Sequence, residues 1–171
     1  MFEIVIVKMN KDTLKTFIRA TLIENQISKK PGAGIILVKK FNDTWKVLTL
    51  VLNGVYDIPK GGIENGESTF ETAIRETHEE SNIQDFKFQW GKTPFSSGRL
   101  TVYLASTTED GKIIPNPETG IYEHDEARWV DWDEMIAKTS DFIRPCIRWA
   151  RREVNKSQIA HENGNSRFIN R

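Results

Sequence analysis

The sequence predicts an α/β architecture of the α+β kind, with helices on both faces of a mixed sheet. Three observations carry this. Apolar, β-branched segments stand before and after one helical segment at 68–82, two of them form a hairpin pattern ahead of it, and an amphipathic helix follows near the end of the chain. With 171 residues the chain suits one domain with a sizeable core.

In order along the chain, Phe2 to Val7 reads as a short strand. Leu14, Phe17, Ile18 and Leu22 recur at helical spacing to about Asn25, behind Asp12 as a candidate cap. The polar break QISKKPG sets residues 1–30 apart as a strand–helix extension. Its helix either packs on the main domain or supplies a dimer contact or a substrate wall. Ala33 to Lys40 reads as a buried strand, Asn42-Asp43 as a turn, and Trp45 to Asn53 as the second arm of a hairpin. Tyr56-Asp57-Ile58 leads into Pro59-Lys60-Gly61-Gly62, which turns the chain sharply onto the helix. Ser68 and Glu71 form a capping box, Phe70, Ala73, Ile74 and Thr77 recur at steps of three and four, and Asn82 suits the left-handed position that ends a helix.

Phe86 to Gly91 reads as a strand, KTPFSSGR as a loop and Leu100 to Thr107 as a strand. EDGKIIPNPETG is a long polar loop of the sort that is often functional. A strand is expected at Ala127 to Val130, then a short helix capped by Asp133 to about Lys138. An amphipathic helix from Thr139 to Val154 follows, carrying Phe142, Ile143, Ile147, Trp149 and Ala150. The main domain is therefore 31–154, and 155–171 is expected to be a flexible polar tail.

Lys and Arg total 24 and Asp and Glu total 24, so the net charge is zero. That balance argues against a DNA partner or a nucleic-acid-coating role, while leaving room for a local basic pocket. A lone cysteine, Cys146, excludes an intrachain disulfide and reads as packing within a helix. The N-terminal apolar stretch is too short for a signal peptide, and no apolar run approaches the roughly 18 residues of a membrane span. The expected setting is cytoplasmic, with no membrane association.

The chemistry lies on the central helix. At about 100° per residue, Glu76, Glu79 and Glu80 fall within roughly 100° of arc, beside the apolar face. Carboxylates so placed repel one another unless a cation joins them. Hard divalent cations suit such oxygen donors. The alternative is a solvated acidic face. Arg75 lies four residues from both Glu71 and Glu79, where helical ion pairs form, and on its helical angle stands away from the acidic centre.

Gly61, Glu67, Arg75, Glu76, Glu79 and Glu80 reproduce the spacing G-x5-E-x7-R-E-x2-E-E, which resembles the Nudix box, the signature of the Nudix hydrolases. Two positions depart from the family pattern: Thr77 stands where an aliphatic residue is usual, and Asn82 where glycine is. The resemblance covers roughly Ala33 to Val154 and implies the α/β/α sandwich of that family. It implies hydrolysis of a nucleoside diphosphate linked to another group, by metal-activated water. On it, Glu76, Glu79 and Glu80 would bind Mg²⁺ (or Mn²⁺), with the Gly61 carbonyl as a further ligand. Glu67 would brace Arg75 or reach the metal shell through water. The general base stays open among Glu79, Glu80 and Glu123; Glu123 could equally be a ligand. His124 is an acid or phosphate contact, or a surface histidine.

Lys60 would stand beside the metal where a phosphate chain runs, unless it is simply an exposed turn lysine. Lys92 and Arg99 bracket a loop near the expected cleft and could hold distal phosphates. Tyr56, Trp90, Phe95 and Tyr103 could stack a base. The entrance DIPKGG and the helix ETAIRETHEES are most similar to the asymmetric diadenosine tetraphosphate hydrolases. A dinucleoside polyphosphate is therefore the expected substrate. An RNA 5′ end, ADP-ribose or another nucleotide sugar, a nucleoside triphosphate, and non-catalytic nucleotide binding are the alternatives. The chain is expected to act as a monomer or homodimer.

Overall fold

The computed structural model describes residues 31–117 and 119–166, with side chains as far as Ser157. The readings for residues 1–30 and for 167–171 lie outside these.

Among the described residues, seven strands make one mixed sheet: β1 (Gly32–Phe41), β2 (Thr44–Leu52), β3 (Val55–Asp57), β4 (Lys60–Gly62), β5 (Phe95–Ser97), β6 (Leu100–Ser106) and β7 (Glu126–Val130). Its order is β3-β2-β1-β6-β5, with β4 also on β1 and β7 also on β2. The β1–β6 pair is parallel and the rest are antiparallel. The described helices are α1 (Thr69–Ser81), α2 (Trp132–Lys138) and α3 (Arg144–Ser166).

The period of two along β1 divides the core into two layers. Ile36 and Val38 pack with Met135 of α2 and with Cys146, Ile147 and Ala150 of α3. Ala33, Ile35 and Leu37 pack on the opposite face with Ala73 of α1 and with Ile83. The strand is covered on both sides, which is why AGIILV reads as a continuous apolar run. The α/β/α sandwich is thus present.

The β1–β2 hairpin turns at Asn42 (φ 53°) and then opens. Beyond the paired stretch Val38–Phe41, β1 takes β4 as its partner, matching Gly34 with Lys60, Ala33 with Gly61 and Gly32 with Gly62. Glycines make this approach feasible. A Cβ on Gly34 would stand 2.3 Å from the Pro59 carbonyl oxygen, and one on Gly32 would stand 2.8 Å from that of Gly61. The turn expected at 59–62 is therefore built as a short strand lying against β1.

Several boundaries differ from the sequence reading. Phe86 to Gly91 is not a strand; it makes one bridge, Lys87 to Ser106. The same edge of β6 is taken over Leu100–Val102 by β5, which lies inside the segment expected to be a loop. Phe86 and Phe88 pack toward α1, whereas Trp90 packs on Trp45. α2 starts at Trp132 with Asp131 in the cap position, and Asp133 instead pairs with Arg151 at 2.7 Å. α3 starts at Arg144 rather than Thr139, with Pro145 in its first turn, where a missing N–H costs nothing. It runs to Ser166, so the expected boundary at Val154 falls within a helix.

Gly34→Ala should destabilise the fold by about 1–3 kcal/mol, because backbone must move to admit the methyl group. Gly62→Ala meets nothing within 4 Å and should stay within about 0.5 kcal/mol of the parent. Denaturant unfolding of the two variants checks the contrast.

Candidate active site

The helix that carries the acids is closed at both ends by its own sequence. The Ser68 hydroxyl accepts from the Glu71 amide at 3.2 Å, and the Glu71 carboxylate accepts from the Ser68 amide at 2.9 Å. Asn82 ends the helix at φ 53°. Thr72, Ala73, Thr77 and Ser81 form the buried face. Thr77, one of the two departures from the box pattern, packs there and satisfies its hydroxyl on the Ala73 carbonyl at 2.7 Å.

Arg75 does not stand away from the acids. Its Nε and Nη2 donate to the two Glu67 oxygens at 2.8 and 3.0 Å, and its Nη1 donates to Glu76 at 2.7 Å and Glu79 at 3.1 Å. Nη2 also reaches the Gly62 carbonyl at 3.1 Å. Glu71, the other expected partner, is committed to the cap. Glu67 therefore braces Arg75, and that bond, helped by the Thr72 hydroxyl, holds its carboxyl down to about 2.

Gly61 lies against Glu76 so closely that a Cβ there would fall 2.1 Å from the Glu76 Cδ. Glu80 accepts from the Lys60 amide at 2.9 Å. Burial, reinforced by the charges of Glu79 and Glu123, pushes the Glu76 carboxyl up to about 7 despite Arg75. Burial likewise raises Glu80 well above the usual carboxylate range, against the pull of Lys60. Glu123 and His124 come from the distant loop before β7, and they line one pocket with Glu76, Glu79 and Glu80. Burial lowers the His124 pKa. Ile113, Ile114 and Asn116, from the long polar loop, complete the lining.

Lys60 is drawn to Asp57, its ammonium 2.6 Å from Oδ2, with the lysine side chain 11% exposed. Sequence reasoning misses Asp57, although its spacing of three from Lys60 in DIPKG is visible there. Other candidates are placed elsewhere. Tyr56 is 2% exposed; its hydroxyl donates to Glu134 at 2.6 Å and accepts from Lys138 at 3.1 Å. Tyr103 is buried against Phe70 and Phe88, its hydroxyl 2.8 Å from that of Thr69. Lys92 sits 4.8 Å over the Phe70 ring, and Arg99 is exposed at the β5–β6 turn. Trp90 meets Trp45, and Phe95 stacks on Trp149. None of these residues lines the acidic pocket.

The donors at the pocket include hard carboxylate oxygens, and burial makes Glu76 and Glu80 costly to ionise. The donor set fits a divalent cation in type and charge. Among the described residues no three Asp, Glu or His side chains are already gathered as ligands, and Arg75 supplies the positive charge between Glu76 and Glu79. Among the described residues no helix is long and apolar enough to cross a membrane.

A capped acidic helix set against a glycine strand, inside an α/β/α sandwich, is the framework of the candidate site. The NUDIX domain model matches residues 24–150, and the chain belongs to the Nudix hydrolase family. The general activity is therefore pyrophosphohydrolysis, and the family generally works with a divalent metal such as Mg²⁺. An RNA pyrophosphohydrolase of Brucella anthropi is 24% identical over 73% of this chain and 86% of its own length. A C. elegans Ap4A hydrolase superposes with a TM-score of 0.55 at 18% identity, over 75% of this chain and 97% of that one. RenU, a Nudix hydrolase from M. smegmatis, does so at 0.57 and 16% identity, over 75% and 88%. These likenesses to solved structures are likenesses of fold.

The raised Glu76 carboxyl ties stability to pH. Between its ordinary value of 4.5 and about 7 the folded protein binds a proton that the unfolded chain does not, so this group's contribution to stability falls as pH rises through that window. Glu67 acts oppositely: its contribution is present above 4.5 and is lost as pH falls toward about 2. Mg²⁺ or Mn²⁺ should therefore raise the unfolding temperature more at pH 8 than at pH 5.5. Glu76→Gln should flatten the metal-free profile between those limits, in a thermal-shift titration.

Proposed function

We propose that this chain is a Mg²⁺-dependent hydrolase of dinucleoside polyphosphates such as diadenosine tetraphosphate. The observation that carries the reading is the convergence of Glu76, Glu79, Glu80 and Glu123 on one pocket, with the paired Lys60 and Asp57 next to Glu80.

Glu76, Glu79, Glu80 and the Gly61 carbonyl would hold the cation. Bound there, Mg²⁺ neutralises phosphate charge and supplies an activated water. Glu123, carried by the loop and not by α1, takes the proton of the attacking water. It is the proposed base because Glu76, Glu79 and Glu80 are assigned to the cation, whereas Glu123 enters the pocket from the loop before β7. Glu67 keeps Arg75 aligned, so that the acidic side chains of α1 keep their places. Lys60, steadied by Asp57, meets the distal phosphates. His124, whose half-buried imidazole favours the neutral form, donates an N–H to a phosphate oxygen.

Support for the substrate comes from the Pro59-Lys60-Gly61 entrance and the wording of the helix. The buried Tyr56 and Tyr103 leave base recognition to other residues. A second reading, hydrolysis at a triphosphorylated RNA 5′ end, is favoured by the sequence relation to the Brucella anthropi RNA pyrophosphohydrolase.

A panel of diadenosine tetraphosphate, 5′-triphosphate RNA, ADP-ribose and nucleoside triphosphates, assayed with Mg²⁺, tests this. The dinucleotide should lead by about tenfold or more in kcat/KM. A lead for RNA decides for the second reading, and turnover of none defeats both. Glu79→Gln should lower kcat by at least about a hundredfold while the protein stays folded, as loss of a ligand demands.

Lys60→Ala should weaken kcat/KM on the polyphosphates by about tenfold, the worth of one charged hydrogen bond, and spare ADP-ribose. Equal losses on both would remove the phosphate role from Lys60.

A further inference from the structure

The loop between β6 and β7 contains a polar side chain that binds in two directions. Asn116 lines the acidic pocket together with Glu123. Its Nδ2 donates to Glu123 Oε1 at 2.9 Å, while its Oδ1 accepts from the Thr119 amide at 3.1 Å. The backbone of the same residue closes the turn: its N–H donates to the Ile121 carbonyl at 2.9 Å, and its carbonyl accepts from Gly120 at 2.8 Å. Gly120 takes φ 66°, which allows the chain to return. Asn116, Thr119, Gly120 and Ile121 are thus bonded to one another, and the residue that joins them ends on the carboxylate of the pocket.

Glu123 needs such a hold. It belongs to no helix or strand, and Glu76, Glu79 and Glu80 line the same pocket. Like charges lining one pocket favour rotamers that carry the carboxylate out to water. A carboxamide is suited to the opposite task. It donates to an acid and accepts from a backbone N–H at once, and it adds no charge to the pocket.

We propose that Asn116 is a positioning residue, fixing the Glu123 carboxylate in the pocket it shares with the acids of α1 and coupling it to Thr119, Gly120 and Ile121. This rests on the role given above to Glu123. It makes the long polar loop a working part of the site and not a bare connection.

Asn116→Asp separates the two functions of the side chain. It keeps the Oδ1 acceptor for Thr119, removes the donor to Glu123 and sets a like charge against it. Expected are a fall in kcat of about tenfold with little change in KM, as for other groups that orient a reacting one, and an unfolding midpoint near that of the parent. Asn116→Ser, which retains a donor, should recover part of the loss. In the Glu123→Gln background Asn116→Asp should cost nothing further, since the pair acts as a unit. A readout free of turnover is the side-chain amide of Asn116 in ¹⁵N-labelled, metal-free protein, whose resonances should move on Glu123→Gln. A fully active Glu123→Gln would overturn the role of Glu123 and this inference with it. An impaired Glu123→Gln beside a fully active Asn116→Asp, additive losses, or an unmoved Asn116 amide would overturn the positioning role alone.

Discussion

The guanidinium of Arg75 holds the acidic helix and the glycine strand in one arrangement. Glutamates at the rim of a core repel each other, and burial makes Glu76 and Glu80 harder to ionise. A fixed, planar cation with donors on both edges answers several of them together. Arg75 joins Glu67 at the helix entrance, Glu76 and Glu79 farther along, and the carbonyl of Gly62 on β4. The acids can then stand beside the sheet without being driven into solvent.

This arrangement needs close approach as well as charge. β1 runs between the two helical layers and must also accept β4 against its first residues. Gly32 and Gly34 leave space for the carbonyls of Gly61 and Pro59, and Gly61 leaves space for the Glu76 carboxyl. Three missing side chains therefore bring sheet, turn and helix together. Apolar burial on either side of Ile35 and Ile36 supplies the cohesion that keeps them there.

Local rules make the central helix legible in the amino-acid sequence. Its capping box, its left-handed end at Asn82 and the grouping of Glu76, Glu79 and Glu80 are all matters of neighbouring residues. The hairpin and the strand at Leu100 are legible for the same reason, a strong pattern over many residues. β5 is not, because three residues show no period, and the competing segment Phe86–Gly91 is aromatic enough to resemble a strand. The direction of Arg75 is hidden too, because a long side chain reaches well beyond the helical angle of its own Cα. Tyr56 and Tyr103 carry no sign in the sequence of which side of a strand they will face. Glu123 is visible as a late acid, but its link to Asn116 arises within a loop without repeat, where only the folded turn brings the two together.

The pocket has walls of two origins. One is α1, which is tied to β4 by the Glu80–Lys60 and Arg75–Gly62 hydrogen bonds. The other comes from Ile113, Ile114, Asn116, Glu123 and His124, none of which lies in a strand or helix. Substitutions reach these walls differently. A change in the first disturbs core packing and the acids together, so few are tolerated. A change in the second alters the rim facing the substrate while the sheet remains as it was. Divergence toward new substrates has its open route there, at positions other than Asn116, Glu123 and His124.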